Sequence, residues 1–167
     1  VAAVNDAPVV SNAPPAQATA EDTPFAFSLP ANIFADVDVG DTLTYTTGAL
    51  PSWLTFDAAT RTFSGTPANG DVGTVNITVT ATDGSSASAS DTFDIVIANT
   101  NDAPTLANPI ADRAATEDAA FSFQFAANTF ADVDIGDTLT YSTSALPSWL
   151  TFDAATRTFS GTPANAD

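Results

Sequence analysis

Cysteine, histidine, lysine and methionine do not occur among the 167 residues of this sequence. Their absence removes disulfides, thiol chemistry and the usual ligands of zinc and haem. Catalysis would be left to paired carboxylates of the glycosidase kind. The acids cluster where domain ends are expected rather than in a cleft, so an enzyme is not expected. Positive charge is also scarce: Arg61, Arg113 and Arg157 stand against 20 acidic side chains, for a net charge of −17. Nucleic acid and anionic membranes are therefore poor partners. Neither an apolar run of membrane-spanning length nor a leader-type segment is present, so direct membrane insertion is not expected. The start at Val1-Ala2-Ala3-Val4, without Met, reads as an excerpt from a longer protein.

What the sequence does hold is core material, 44% hydrophobic residues with 12 Phe, and a duplication. Like charge at this density opposes compaction unless cations bind, which couples folding to cation binding. Glu21 matches Glu117, Trp53 matches Trp149 and Asp71 matches Asp167, always 96 positions on and without a slip. The stretch ALPSWLTFDAATRTFSGTPAN is identical at 49–69 and 145–165, so the repeat is a domain rather than a short solenoid unit. The expected domains are 1–99 and 100–167, the second lacking the last two strands of the first. Acidity and repetition together point to an exported protein.

Alternation of apolar and polar residues in Phe25–Leu29, Thr42–Thr46, Val75–Ala81 and Phe93–Ile97 predicts strands with one buried face. Turn signals at Asn69-Gly70, Asp83-Gly84-Ser85-Ser86 and Gly65-Thr66-Pro67 separate them, and about seven short strands per repeat predict an immunoglobulin-like sandwich. Trp53 lies in the apolar run Leu50–Phe56 and is expected to plug the core rather than to stack on sugar. Arg61 is expected to pair with a surface Asp.

Of the 20 acids 18 are Asp, and the two Glu occupy one repeat position, as though that spot wants the longer side chain. Asp36 and Asp38 project to one side if their segment is extended, and Asp41 after Gly40 adds a third carboxylate; Asp132, Asp134 and Asp137 repeat the set. Such hard oxygens suit calcium. An EF-hand loop is ruled out, because counting from Asp36 puts Asp41 and Thr47 where that loop needs Gly and Glu.

The stretch LPSWLTFDAATRTFSGTP, DVDVGDTLTY at 36–45, ATDG at 81–84 and the junction NTNDAP at 99–104 together resemble the dystroglycan-type cadherin-like domains, also called putative immunoglobulin domains, of bacterial tandem arrays. The resemblance implies all-β Greek-key sandwiches in tandem, with calcium at the domain ends. It implies one calcium site from Asn5, Asp6, Asp36, Asp38 and Asp83. It implies a second between the repeats from Glu21, Asp71, Asn99, Asn101, Asp102, Asp132 and Asp134. Asn99 stands where the family usually has an acid, which lowers the charge there. In the second repeat the partner of Asp83 would fall beyond Asp167. The implied function is a calcium-stiffened spacer of an extracellular or cell-surface adhesin or fibre, whose partners are neighbouring repeats. The alternative is calcium-dependent binding of polysaccharide or of other copies of the chain.

Overall fold

The alternating segments are strands in the computed structural model, which describes residues 4–165. The chain divides into two compact units, 1–100 and 101–167. The first contains β1 (Val9–Val10), β2 (Gln17–Ala20), β3 (Phe25–Ser28), β4 (Phe34–Ala35), β5 (Thr44–Thr47), β6 (Leu54–Asp57), β7 (Thr62–Gly65), β8 (Gly73–Thr82) and β9 (Ser88–Ala98). They form a four-stranded sheet β2-β9-β8-β5, a three-stranded sheet β3-β7-β6 and a short pair β1-β4. Pairing is antiparallel except between β2 and β9, which run parallel.

Period-two alternation builds the core. Ile77, Val79 and Ala81 of β8 and Phe93, Ile95 and Ile97 of β9 face Phe25, Leu54 and Phe63 of the opposite sheet. Leu29 and Ile33, between β3 and β4, and Phe34 of β4 close the same core. Burial of each such side chain stabilises the fold by roughly 1.5–3 kcal/mol. Phe63 is fully buried and packs its ring 4.5 Å from Phe56 and 5.6 Å from Phe93. Outward positions are polar and pair across strands, as in Thr80 with Ser90 at 2.8 Å and Asn76 with Asp94 at 3.0 Å.

Trp53 is half-buried against this core, with its ring edge-on to Phe25 at 6.1 Å. The turn between β6 and β7 is fastened by Asp57, whose carboxylate accepts the backbone N–H groups of Ala59 and Thr60 at 2.9 and 3.4 Å. Arg61 closes that turn with a positive φ of 55°. The expected pairing of Arg61 with an Asp is not found among the described residues. Its guanidinium lies over the Tyr45 ring instead, 5.7 Å from the centroid, where the ring face offers the cation an electrostatic partner.

The second unit repeats part of this plan. β10 (Thr105–Leu106) pairs with β12 (Phe130–Ala131), while β11 (Phe121–Gln124), β14 (Thr158–Gly161) and β13 (Leu150–Asp153) make a three-stranded sheet. Residues 113–116 and 140–143, the copies of β2 and β5, are not strands. In the first unit β2 is held by β9 alone and β5 by β8 alone, and no copy of either holding strand falls within residues 101–167. Phe125, Phe130, Tyr141, Phe152 and Phe159 accordingly line a cleft of about 390 Å³ where the first unit is filled by β8 and β9.

Candidate metal centre

In the first unit the acidic loop is built by local hydrogen bonds. Residues 37–40 form a bend and turn rather than the extended segment that would set Asp36 and Asp38 on one side. The two carboxylates converge because Asp36 accepts the backbone N–H of Asp38 at 2.9 Å, an Asx turn, rather than through strand alternation. Gly40 then takes a φ of 103°, open to glycine and strained for other residues, and Asp41 N–H donates to the Asp38 carbonyl at 3.3 Å. The result brings oxygens of Asp36, Asp38 and Asp41 within 4.8 Å of one another.

Distant residues join them. Asp6 N–H donates to the Asp38 carboxylate at 2.7 Å, and the Asn5 amide donates to Asp83 at 2.9 Å. Asp83, after β8, is buried and also accepts the backbone N–H groups of Ser85 and Ala87 at 2.8 and 2.9 Å. These donors, the Asn5 amide foremost, hold the Asp83 carboxyl below the ordinary carboxylate range. Asp41 moves the other way: partial desolvation and the charges of Asp36, Asp83 and Asp38 push its carboxyl up. The structure thus brings Asn5, Asp6, Asp36, Asp38 and Asp83 together, and with them Asp41, the third carboxylate that the spacing offered.

At the far end of β2, Glu21 is buried. Its Oε1 accepts the backbone N–H of Thr100 at 2.7 Å, while Oε2 has no hydrogen-bond partner. Glu117, its copy, is exposed. Asp71 has a local task, since its carboxylate accepts the Ala68 N–H at 2.9 Å and closes the 3-10 turn Asn69–Asp71. Asn99 is exposed.

The second unit forms the same loop. Asp134 N–H donates to Asp132 at 3.0 Å, Asp102 N–H donates to Asp134 at 2.7 Å, and Asp132, Asp134 and Asp137 bring oxygens within 4.8 Å. Asn101, Asp102, Asp132 and Asp137 line a cleft of about 200 Å³. The Asn101 amide is turned onto the Asp102 carbonyl at 2.9 Å. Asp167, the copy of Asp71, lies outside the described residues.

The donor set fits a hard cation. Every candidate ligand is a carboxylate, an amide or a backbone carbonyl, and Asp36 Oδ2 is buried with no hydrogen-bond partner. A buried carboxylate oxygen lacking a proton donor is costly unless a cation answers it.

Acid should weaken this end of the domain, and the sign follows from the directions of the shifts. Carboxyls depressed in the fold, Asp83 here and Asp57 and Asp153 in the β6–β7 and β13–β14 turns, stabilise it above their unfolded value. That stability is lost as the pH falls below roughly 4. Asp41 opposes the trend, because its raised carboxyl is repelled at neutral pH and relieved on protonation. Asp41→Asn is expected to raise the melting temperature in chelator by a few degrees at pH 7 and to reduce the gain on adding calcium. A lower melting temperature in chelator would show that repulsion is not what Asp41 contributes.

Comparison with known proteins agrees with this architecture. The serine-rich adhesin for platelets of Staphylococcus aureus strain MRSA252 is 36% identical over 124 residues, which is 74% of this chain and 9% of that protein. The same adhesin from strain USA300 matches at 36% over 5% of its length. The chain thus spans less than a tenth of the curated relatives it matches. PcdhgB3 EC1-4 superposes over 99% of this chain and 42% of its own with a TM-score of 0.60 and 21% identity. The protocadherin gamma B4 extracellular domain does so over 98% of this chain and 30% of its own, with a TM-score of 0.56 and 21% identity. At that identity these two likenesses speak for the cadherin-type fold alone. The family of putative Ig domains matches residues 7–98 and again 103–167, and the chain belongs to it.

Proposed function

We propose that this chain is a calcium-rigidified spacer repeat of a long extracellular or cell-surface protein of the adhesin or fibre type. The observation carrying the reading is the convergence of Asn5, Asp6, Asp36, Asp38, Asp41 and Asp83 around a carboxylate oxygen without a proton donor. Bound calcium would supply the positive charge that offsets this cluster. Asp36, Asp38, Asp41 and Asp83 would hold the ion, with Asn5 and Asp6 fixing the entering chain. The adhesin relatives support the surface location.

The stiffening itself rests on a second set, Glu21, Asn99, Asn101, Asp102, Asp132 and Asp134, on either side of the short polar linker at 99–104. One ion held jointly by these residues would tie both domains to the linker, whereas weakly packed neighbours otherwise move independently. Asp71 is left out of the set because its carboxylate closes its own turn. Neighbouring repeats are the partners in this reading, and no reaction is catalysed. Small-angle scattering is expected to give a narrow size distribution with calcium and a broad one with EDTA. Asp134→Ala should behave like EDTA even in calcium, while the melting of the first unit stays unchanged. Identical scattering in all three conditions would end the stiff-spacer mechanism.

A further inference from the structure

Outside the acidic loops, one cleft recurs in both units at the same repeat positions. In the first unit Leu43, Thr44, Tyr45, Ala58, Ala59 and Arg61 line an opening of about 390 Å³. Their copies 96 positions on, from Leu139 to Arg157, line one of about 530 Å³. Each cleft contains an arginine in a chain that has only three.

That arginine is held in an unfavourable conformation. Arg61 and Arg157 have φ of 55° and 56°, at a hairpin position where glycine or asparagine is at ease. Their carbonyls are pinned by the N–H groups of Leu29 and Phe125 at 2.9 and 3.2 Å. Among the described residues neither arginine has an ion pair, and Arg61 Nε is buried with no hydrogen-bond partner. A guanidinium presents a planar fork of N–H groups that matches a carboxylate. Beside it lie the Tyr45 ring, 5.7 Å from the guanidinium carbon, and the small apolar walls of Leu43, Ala58 and Ala59. Charge narrows the ligand further, because a net −17 repels a polyanion and a second copy of the chain alike. A single carboxylate on an uncharged body of mixed C–H and hydroxyl faces meets every one of these features.

We propose that this cleft binds the carboxylate of a monoanionic sugar, a uronic acid unit, with Arg61 and Arg157 as the anion-binding residues and Tyr45 and Tyr141 beside the ring. The test is an NMR titration of the 167-residue chain with methyl glucuronide, methyl glucoside and acetate. Methyl glucuronide should give saturable shifts at Tyr45, Arg61 and their copies, with the other two probes weaker by about tenfold or more. The double variant Arg61→Gly with Arg157→Gly should abolish binding without lowering the melting temperature, since the positive φ suits glycine. Should that variant fail to fold, Arg61→Asn with Arg157→Asn replaces it; the lysine pair should retain charge but bind about tenfold more weakly. Binding unchanged in the variants, equal binding of methyl glucoside, or no binding would overturn the proposal. Acetate matching the glucuronide would overturn the sugar assignment. Self-association in sedimentation that the glycine pair abolishes would give the cleft to an acidic side chain of a second copy instead.

Discussion

Calcium added to chelator-treated protein should raise the thermal midpoint of the first unit by roughly 10–20 °C. A ligand that binds only the native state at a hundredfold excess over its dissociation constant stabilises by about 2.7 kcal/mol. For a domain near 100 residues each kcal/mol moves the midpoint by roughly 4–8 °C. The gain is large because the ion does two things together. It relieves the repulsion that pushes the Asp41 carboxyl up, and it answers the buried Asp36 oxygen that no N–H reaches. Asp38→Ala should remove most of the response, since Asp38 both contributes a carboxylate and anchors the N–H of Asp6. Calorimetry in EDTA and in millimolar calcium decides the matter: equal midpoints after exhaustive chelation would remove calcium from the account.

Much of this was legible in the residues, and the rest was not for definite reasons. β8 and β9 are long, alternate strictly and bury one face, so periodicity alone marks them. β2, Gln-Ala-Thr-Ala, carries no such pattern and becomes a strand only because β9 lies beside it in parallel. The second unit is the control: 140–143 keeps the alternation of β5 yet forms no strand without its neighbour. Pattern proposes and pairing decides. At the acidic end, residue type and spacing pointed to Asp36, Asp38 and Asp41, the family resemblance added Asp83, and the single glutamate position pointed to the buried Glu21. The geometry that gathers them was hidden, because an Asx turn and an extended segment place Asp36 and Asp38 close together by different routes. Asp71 has a local task that its spacing did not show, since its carboxylate accepts the Ala68 N–H within its own turn. The Arg61 cleft had one signal in the sequence, an arginine where the β6–β7 turn would ordinarily want glycine, which only the observed φ makes readable.

Gly65→Ala should be among the most damaging single substitutions in the first unit, costing about 3 kcal/mol or more. A Cβ at Gly65 would sit 1.9 Å from the Trp53 carbonyl oxygen, 2.9 Å from its carbon and 3.1 Å from the Trp53 ring. Two of those three atoms are backbone, so no change of rotamer clears them. Either the approach of Trp53 to β7 opens or β7 moves within its sheet. Gly65 pairs with both Phe25 and Leu54, so a shift of β7 disturbs two strand pairings and the contacts of the fully buried Phe63 two residues away. Against a total stability of 5–15 kcal/mol such a loss is a large fraction. Urea unfolding should show the midpoint falling at unchanged slope, as for a less stable domain of the same extent. A second variant separates the cause from the loss of ring packing. Trp53→Ala removes the ring but leaves the carbonyl oxygen, so adding it to Gly65→Ala should restore nothing. Recovery of stability in the double variant would mean that the ring, not the backbone, is what Gly65 makes room for. The same approach recurs at Gly161, where a Cβ would lie 1.8 Å from the Trp149 carbonyl oxygen. The close contact therefore belongs to the three-stranded sheet itself, which both units form, and is made in the second unit by residues 101–167 alone, without any copy of β8 or β9 among them.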